Sequence, residues 1–187
     1  YLAGKYDEAI VSFEEFLKKE QTHKYSDAAS YRVGECFYKL KDYKSAINAF
    51  NIFLKAYGDS TLKNEVKYWL GVSQISLSNY PAASKILIEL NLSPEVPKDL
   101  SVRSKYALGW CYFKQKKYWD SIKELDGIIK EKAAGNLKMY SLYLAGNAYN
   151  SIGRLEDAKA TYIKIFNENP DNEFSDDALY WVAWCDY

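Results

Sequence analysis

The sequence predicts an all-α solenoid of antiparallel helix pairs, and two observations carry that prediction: a spacing of 37 residues that recurs along the chain, and amphipathic helical periodicity on either side of each recurrence. Tyr31, Tyr68, Tyr106, Tyr143 and Tyr180 follow one another at intervals of 37, 38, 37 and 37. Three residues after each come Gly34, Gly71, Gly109, Gly146 and Ala183. A second register runs through Tyr6, Tyr43, Tyr80, Tyr118 and Leu155, each followed three residues later by Ala9, Ala46, Ala83, Ser121 and Ala158. Five copies holding four registers together mark a true repeat.

Each unit reads as two helices. In the first, Val33, Phe37 and Leu40 share one face, as do Ala145, Tyr149 and Ile152; in the second, Tyr43, Ala46, Phe50 and Phe53 do so. Glycine inside a helix costs on the order of 1 kcal/mol against alanine, so four glycines at one repeat position require close helix approach. Ser26-Asp27 and Ser175-Asp176 are expected to cap first helices, and Pro81 suits the first turn of a second helix. Pro170 closes the fifth unit. The stretch from Leu92 to Asp99, with Pro94 and Pro97, interrupts the pattern; because the register resumes after one extra residue, it reads as an ordinary loop. The expected organisation is one domain over 1–187: a partial repeat at 1–24, full repeats at 25–61, 62–99, 100–136 and 137–173, and the first helix of a sixth at 174–187. The chain opens in mid-pattern without methionine, which suggests a piece of a longer polypeptide.

Gly146, Tyr149, Gly153, Ala158, Tyr162 and Pro170 resemble the tetratricopeptide consensus, and the likeness extends over the whole chain. Two departures stand out: the tryptophan common at the fourth repeat position is Ser30, Lys67, Lys105 and Leu142, and the period is 37 instead of 34. Longer repeats preceded by segments such as Tyr25-Ser-Asp-Ala-Ala or Phe174-Ser-Asp-Asp-Ala resemble the bacterial cell-envelope branch, of the Tol-Pal coordinator and outer-membrane assembly lipoprotein type. The resemblance implies a right-handed superhelix, a non-catalytic role and an address in the periplasm or cell envelope.

Composition narrows the function classes. Lys plus Arg and Asp plus Glu number 25 each, so no basic field exists to draw nucleic acid. No apolar run approaches the roughly 20 residues of a membrane span, and Tyr1 to Tyr6 lack a basic signal-peptide start. His23 is the single histidine and falls in a predicted loop, which leaves Ser-His-Asp and Cys-His catalysis without a base. Cys36, Cys111 and Cys185 lack zinc-ligand spacing; they recur in alternate units at a position that is small in every copy, with Ser73 and Ala148 between. Alternate units stack about 20 Å apart, beyond the ~7 Å Cα reach of a disulfide, so these are expected to be reduced core residues. Glu14-Glu15 and Asp176-Asp177 read as solvated helix faces or caps, because adjacent helical residues diverge. No metal, cofactor or catalytic site is expected.

What remains is the aromatic content, 18 Tyr, 8 Phe and 5 Trp, more than a helical core of this size takes up. In the family this chain resembles, the second, fifth, ninth and twelfth residues of each repeat line a concave groove. Carried over, the fifth positions are the ladder Tyr31, Tyr68, Tyr106, Tyr143 and Tyr180; the ninth are Glu35, Val72, Trp110, Asn147 and Trp184; the twelfth are Tyr38, Ile75, Phe113, Asn150 and Tyr187; Arg103 is a second-position residue. A Tyr- and Trp-rich stripe has the composition of binding hot spots. The ladder reads equally as packing between first helices, and both readings stand at this point. The expected partner is a protein, gripped through a peptide or helix segment; a glycan is one alternative. Self-association through the uncapped last helix is another.

Overall fold

The structure is a computed structural model that describes residues 5–20, 22–131, 134–168, 170–171 and 173–185. Among them are ten α-helices and no strand: α1 (Tyr6–Lys19), α2 (Ser26–Lys39), α3 (Tyr43–Ala56), α4 (Lys63–Ser76), α5 (Tyr80–Asn91), α6 (Lys98–Lys114), α7 (Tyr118–Ile129), α8 (Asn136–Ser151), α9 (Leu155–Glu168) and α10 (Ser175–Cys185). The chain divides into two compact units, Tyr1–Val96 and Pro97–Tyr187. The division falls in the proline-bearing stretch for which the sequence predicts a loop inside one domain. Within each unit every helix packs on the next in the chain.

The pairs close through one recurring contact. A Cβ added to Gly34 would lie 2.4 Å from Phe50 Cε1, one on Gly71 2.9 Å from Leu87 Cδ2, one on Gly109 3.0 Å from Leu125 Cδ2 and one on Gly146 2.5 Å from Tyr162 Cε1. The large residue stands sixteen positions after the glycine in every pair and is fully buried. Ser121 occupies a position that is alanine in the neighbouring copies; its hydroxyl donates to the Gly109 carbonyl at 2.8 Å, which satisfies a polar group in a buried helix contact.

The turns between paired helices share one geometry. Lys41, Ser78, Lys116 and Gly153 have positive φ (62°, 58°, 60° and 74°) at the same repeat position. The next amide in each turn, from Asp42, Asn79, Lys117 and Arg154, donates to a carbonyl five residues back, closing the helix end. The expected Ser-Asp caps take a different form. Ser26 is the first helical residue of α2 and not its cap; its hydroxyl donates to the Glu20 carbonyl, while Asp27 accepts from the Ala28 amide at 2.7 Å and from the Ser60 hydroxyl at 2.7 Å. Those bonds tie the start of α2 to the loops on either side of its pair. Pro81 sits in the first turn of α5, as its missing N–H permits. Cys36, Cys111 and Cys185 are buried and unbridged.

Substitution separates the two kinds of helix glycine. Gly127 lies within α7 with nothing within 4 Å of an added Cβ, so Gly127→Ala gains about 1 kcal/mol of stability from helix propensity. Gly146→Ala drives a methyl into the Tyr162 ring and loses roughly 1–3 kcal/mol by overpacking. Urea denaturation of the two variants checks the opposite signs.

Candidate functional site

The first-helix stripe is described separately in the two units. In the first unit, Tyr31 is only 8% exposed, tilted against Phe50 with ring centroids 6.4 Å apart, so it has little surface to offer a ligand. Its hydroxyl donates to Glu35 at 3.4 Å, and Glu35 also pairs with Arg32. Burial, reinforced by the Glu35 and Glu65 charges, pushes the Tyr31 phenol well above its ordinary pKa. Tyr38, at the end of α2, meets Trp69 of α4 edge to face at 4.9 Å, and Tyr68 meets the same indole at 5.6 Å. Trp69 is fixed by donating its indole N–H to Glu65 at 3.1 Å. Val72 and Ile75 continue the stripe along α4, both half-buried.

In the second unit, Tyr106 faces Tyr140 at 6.2 Å, Tyr140 faces Phe174 at 4.9 Å, and Phe174 stacks on Tyr143 at 5.0 Å. These rings run continuously from α6 across α8 to the residue before α10. Burial, with Tyr140 adding to it, pushes Tyr106 up to about 12. One helical turn on, Trp110 stacks on Phe113 at 6.4 Å with the Lys114 ammonium 4.7 Å from the indole, a cation–π arrangement. Arg103 pairs with Asp99 at 3.3 Å. Asn147, a ninth-position residue of the expected groove, has its side-chain carbonyl engaged: the buried Tyr162 hydroxyl donates to it at 2.7 Å. Asn150 is half-buried. Tyr180 and Trp184 are 64% and 48% exposed on α10, both edge-on to Trp181. Tyr187 lies outside the described residues.

Two aromatic positions escaped the sequence reading. Trp69 and Trp181 each stand one residue after a ladder tyrosine and bind it to a neighbouring element, Trp181 by stacking on Tyr162 at 6.5 Å. Phe174 belongs to a register six residues before the ladder, with Tyr25, Leu62, Leu100 and Leu137; a large apolar residue recurs there just ahead of a first helix or in its first turn, and that recurrence is the signal. Among the described residues no group of His, Cys, Asp and Glu could hold a metal ion, and no helix is long and apolar enough to cross a membrane. Chemically the stripe offers rings, hydroxyls and a few flanking charges, which suits adhesion to a partly apolar chain.

Tetratricopeptide-repeat family models match residues 3–61 and 140–172. The comparison with curated proteins gives no match. Among solved structures, MamA from Desulfovibrio magneticus RS-1 is 18% identical over 91% of this chain and 89% of that one, with a TM-score of 0.76. YrrB, described as a tetratricopeptide protein with an unusual peptide-binding site, is 17% identical over 94% of this chain and 84% of that one, TM-score 0.75. The C-terminal part of a tetratricopeptide protein from Cytophaga hutchinsonii is 16% identical over 97% of this chain and 66% of that one, TM-score 0.78. At these identities the likeness is one of fold, an all-α tetratricopeptide solenoid.

The buried phenols give the tetratricopeptide core a pH signature. Tyr31, Tyr106 and Tyr162 are held protonated by burial above the unfolded value of about 10. Their contribution is whole below pH ~10 and is lost as pH rises through the raised folded values, because the unfolded chain releases those protons first. The urea midpoint therefore falls steeply above pH ~10, and ultraviolet titration of the folded chain shows a late-ionising tyrosine class. Independently, Asn147→Ala strands the Tyr162 hydroxyl and lowers stability by about 1–3 kcal/mol in the same denaturation assay.

Proposed function

We propose that this chain is a non-catalytic interaction scaffold that grips a peptide or a short helix of a partner protein along its first-helix aromatic stripe. The observation that carries this reading is the accessible part of that stripe in the second unit, where the exposed rings of Tyr140, Tyr180 and Trp184 and the half-buried Trp110 with its Lys114 partner are held in place by neighbouring rings. Rings fixed in this way bury much area on binding while losing little rotamer freedom. In the first unit Tyr38 and Tyr68, set against Trp69, offer a smaller patch of the same kind. Tyr31 serves the core in this reading, and Arg103, Glu35, Asn147 and Asn150 supply polar margins that fix orientation.

The peptide-binding description of YrrB, a protein of the same fold, supports the class of ligand. The finer assignment, a bacterial cell-envelope protein working in the periplasm, rests on the longer repeat and on the segments Tyr25-Ser-Asp-Ala-Ala and Phe174-Ser-Asp-Asp-Ala ahead of first helices.

The test is a selection of displayed peptides on the wild-type chain, counter-screened on a Trp110→Ala, Tyr180→Ala, Trp184→Ala variant. Tyr180 and Trp184 lie at the surface and Trp110 is half-buried, so circular dichroism checks that the variant retains its helicity. Peptides binding the wild type should lose at least ~30-fold in affinity on the variant, since each hot-spot ring contributes about 2 kcal/mol or more. Equal binding to both chains would place the ligand surface elsewhere.

A further inference from the structure

The residue after the first position of each second helix is Asp7 in α1, Lys44 in α3, Pro81 in α5 and Glu156 in α9, all suited to a solvated first turn; α7 places Trp119 there. The indole is 58% exposed, so core packing does not account for it. It is nevertheless held in place. Tyr149 of α8 meets it edge to face at 6.5 Å, and the Arg154 guanidinium, in the turn before α9, lies over the ring 5.8 Å from its centroid. An open cleft of about 220 Å³ adjoins the ring, with Tyr118, Trp119 and Ile152 as its apolar lining and the exposed Lys116, Lys117 and Asp120 as its polar lining. Sites for small-molecule ligands run to roughly 300–1,000 Å³, so this cleft has room for a single side chain.

Charge selects the occupant. The turn into α7 reads Lys114-Gln-Lys116-Lys117. Lys114 is engaged by the Trp110 ring, whereas Lys116 and Lys117 enter no ion pair among the described residues. At the start of α3, Asp42 accepts from the Ser45 amide; Lys117 holds the same position before α7, where a cation adds to the positive end of the helix instead of offsetting it. Arg154 is balanced by Asp157, so two lysines face the single carboxylate of Asp120. We propose that this cleft is a second docking surface, which takes a short acidic segment of a partner protein: a leucine-like side chain enters between Trp119 and Ile152, and carboxylates beside it pair with Lys116 and Lys117. A sugar would need a free, flat ring face; here a guanidinium lies over the indole and Ile152 adds an aliphatic wall, which suits a side chain. The cleft shares no residue with the first-helix stripe, so it stands or falls independently of the ligand proposed there.

Nitrogen-15 NMR of the indole N–H groups tests the proposal on the whole chain. Its five tryptophans give five side-chain signals, and Trp119→Phe identifies the one that matters. The probe is a capped pentapeptide with a central leucine and two glutamates on either side. One anchor and two exposed ion pairs give weak binding, with a dissociation constant on the order of 1 mM. The peptide should move the Trp119 signal. A glycine-centred version, a lysine-flanked version, and the surface variant Lys116→Glu with Lys117→Glu should each weaken binding at least ~10-fold. Tyr180→Ala with Trp184→Ala should leave the affinity unchanged. A Trp119 signal that stays still at saturating peptide, an equal response to the lysine-flanked peptide, or undiminished binding in the charge-reversed variant overturns the proposal. So does loss of binding in the Tyr180 and Trp184 variant, which would put the peptide on the stripe, or a signal moved by an acidic oligosaccharide such as oligogalacturonate and not by the peptide.

Discussion

A glycine lying under a large side chain sixteen residues later sets the distance between the helices of every complete pair, and the remaining features depend on that distance. Because Gly34, Gly71, Gly109 and Gly146 allow close approach, Phe50, Leu87, Leu125 and Tyr162 can be fully buried inside their own pairs. The ladder tyrosine three residues before each glycine is held at a defined height by the same packing. Where the pair is closed by an aromatic, as at Phe50 and Tyr162, the ladder residue leans on that ring. Where it is closed by Leu125, Tyr106 turns to Tyr140 instead. The identity of one buried residue thus goes with which ring the neighbouring tyrosine packs on.

Much of the fold was legible because its two periodicities are carried by residue types with a single steric meaning. Small residues at a fixed interval can only mark close contact, and Cys36, Cys111 and Cys185 fit the same rule as buried thiols. The Ser-Asp signals were less transparent. Their side chains satisfy backbone and side-chain partners across the loop, a choice that depends on what the previous helix leaves unpaired.

The candidate site was legible as a stripe but not as a surface. Register alone identifies which residues share a face; it does not reveal how far a neighbouring helix covers them. Tyr31 and Tyr180 occupy the same repeat position, yet one is nearly sealed and the other mostly open. The difference lies in their neighbours: Tyr31 has Phe50 across its pair, whereas α10 has no paired helix among the described residues. Asn147 shows the complementary limit, since its amide is engaged by a phenol fifteen residues away in the paired helix.

The contacts that hold each unit together are made between helices adjacent in sequence, with few reaching one helix farther. Closing short loops carries a small entropic penalty, and chains dominated by such contacts fold quickly. A hairpin such as α2–α3 has all the residues of its closing contact within 31 positions of one another, so it can form while the rest of the chain is still being synthesised. The repeated glycine contact therefore shapes the order of folding as well as its end point: each pair, once closed, presents the surface on which the next helix condenses.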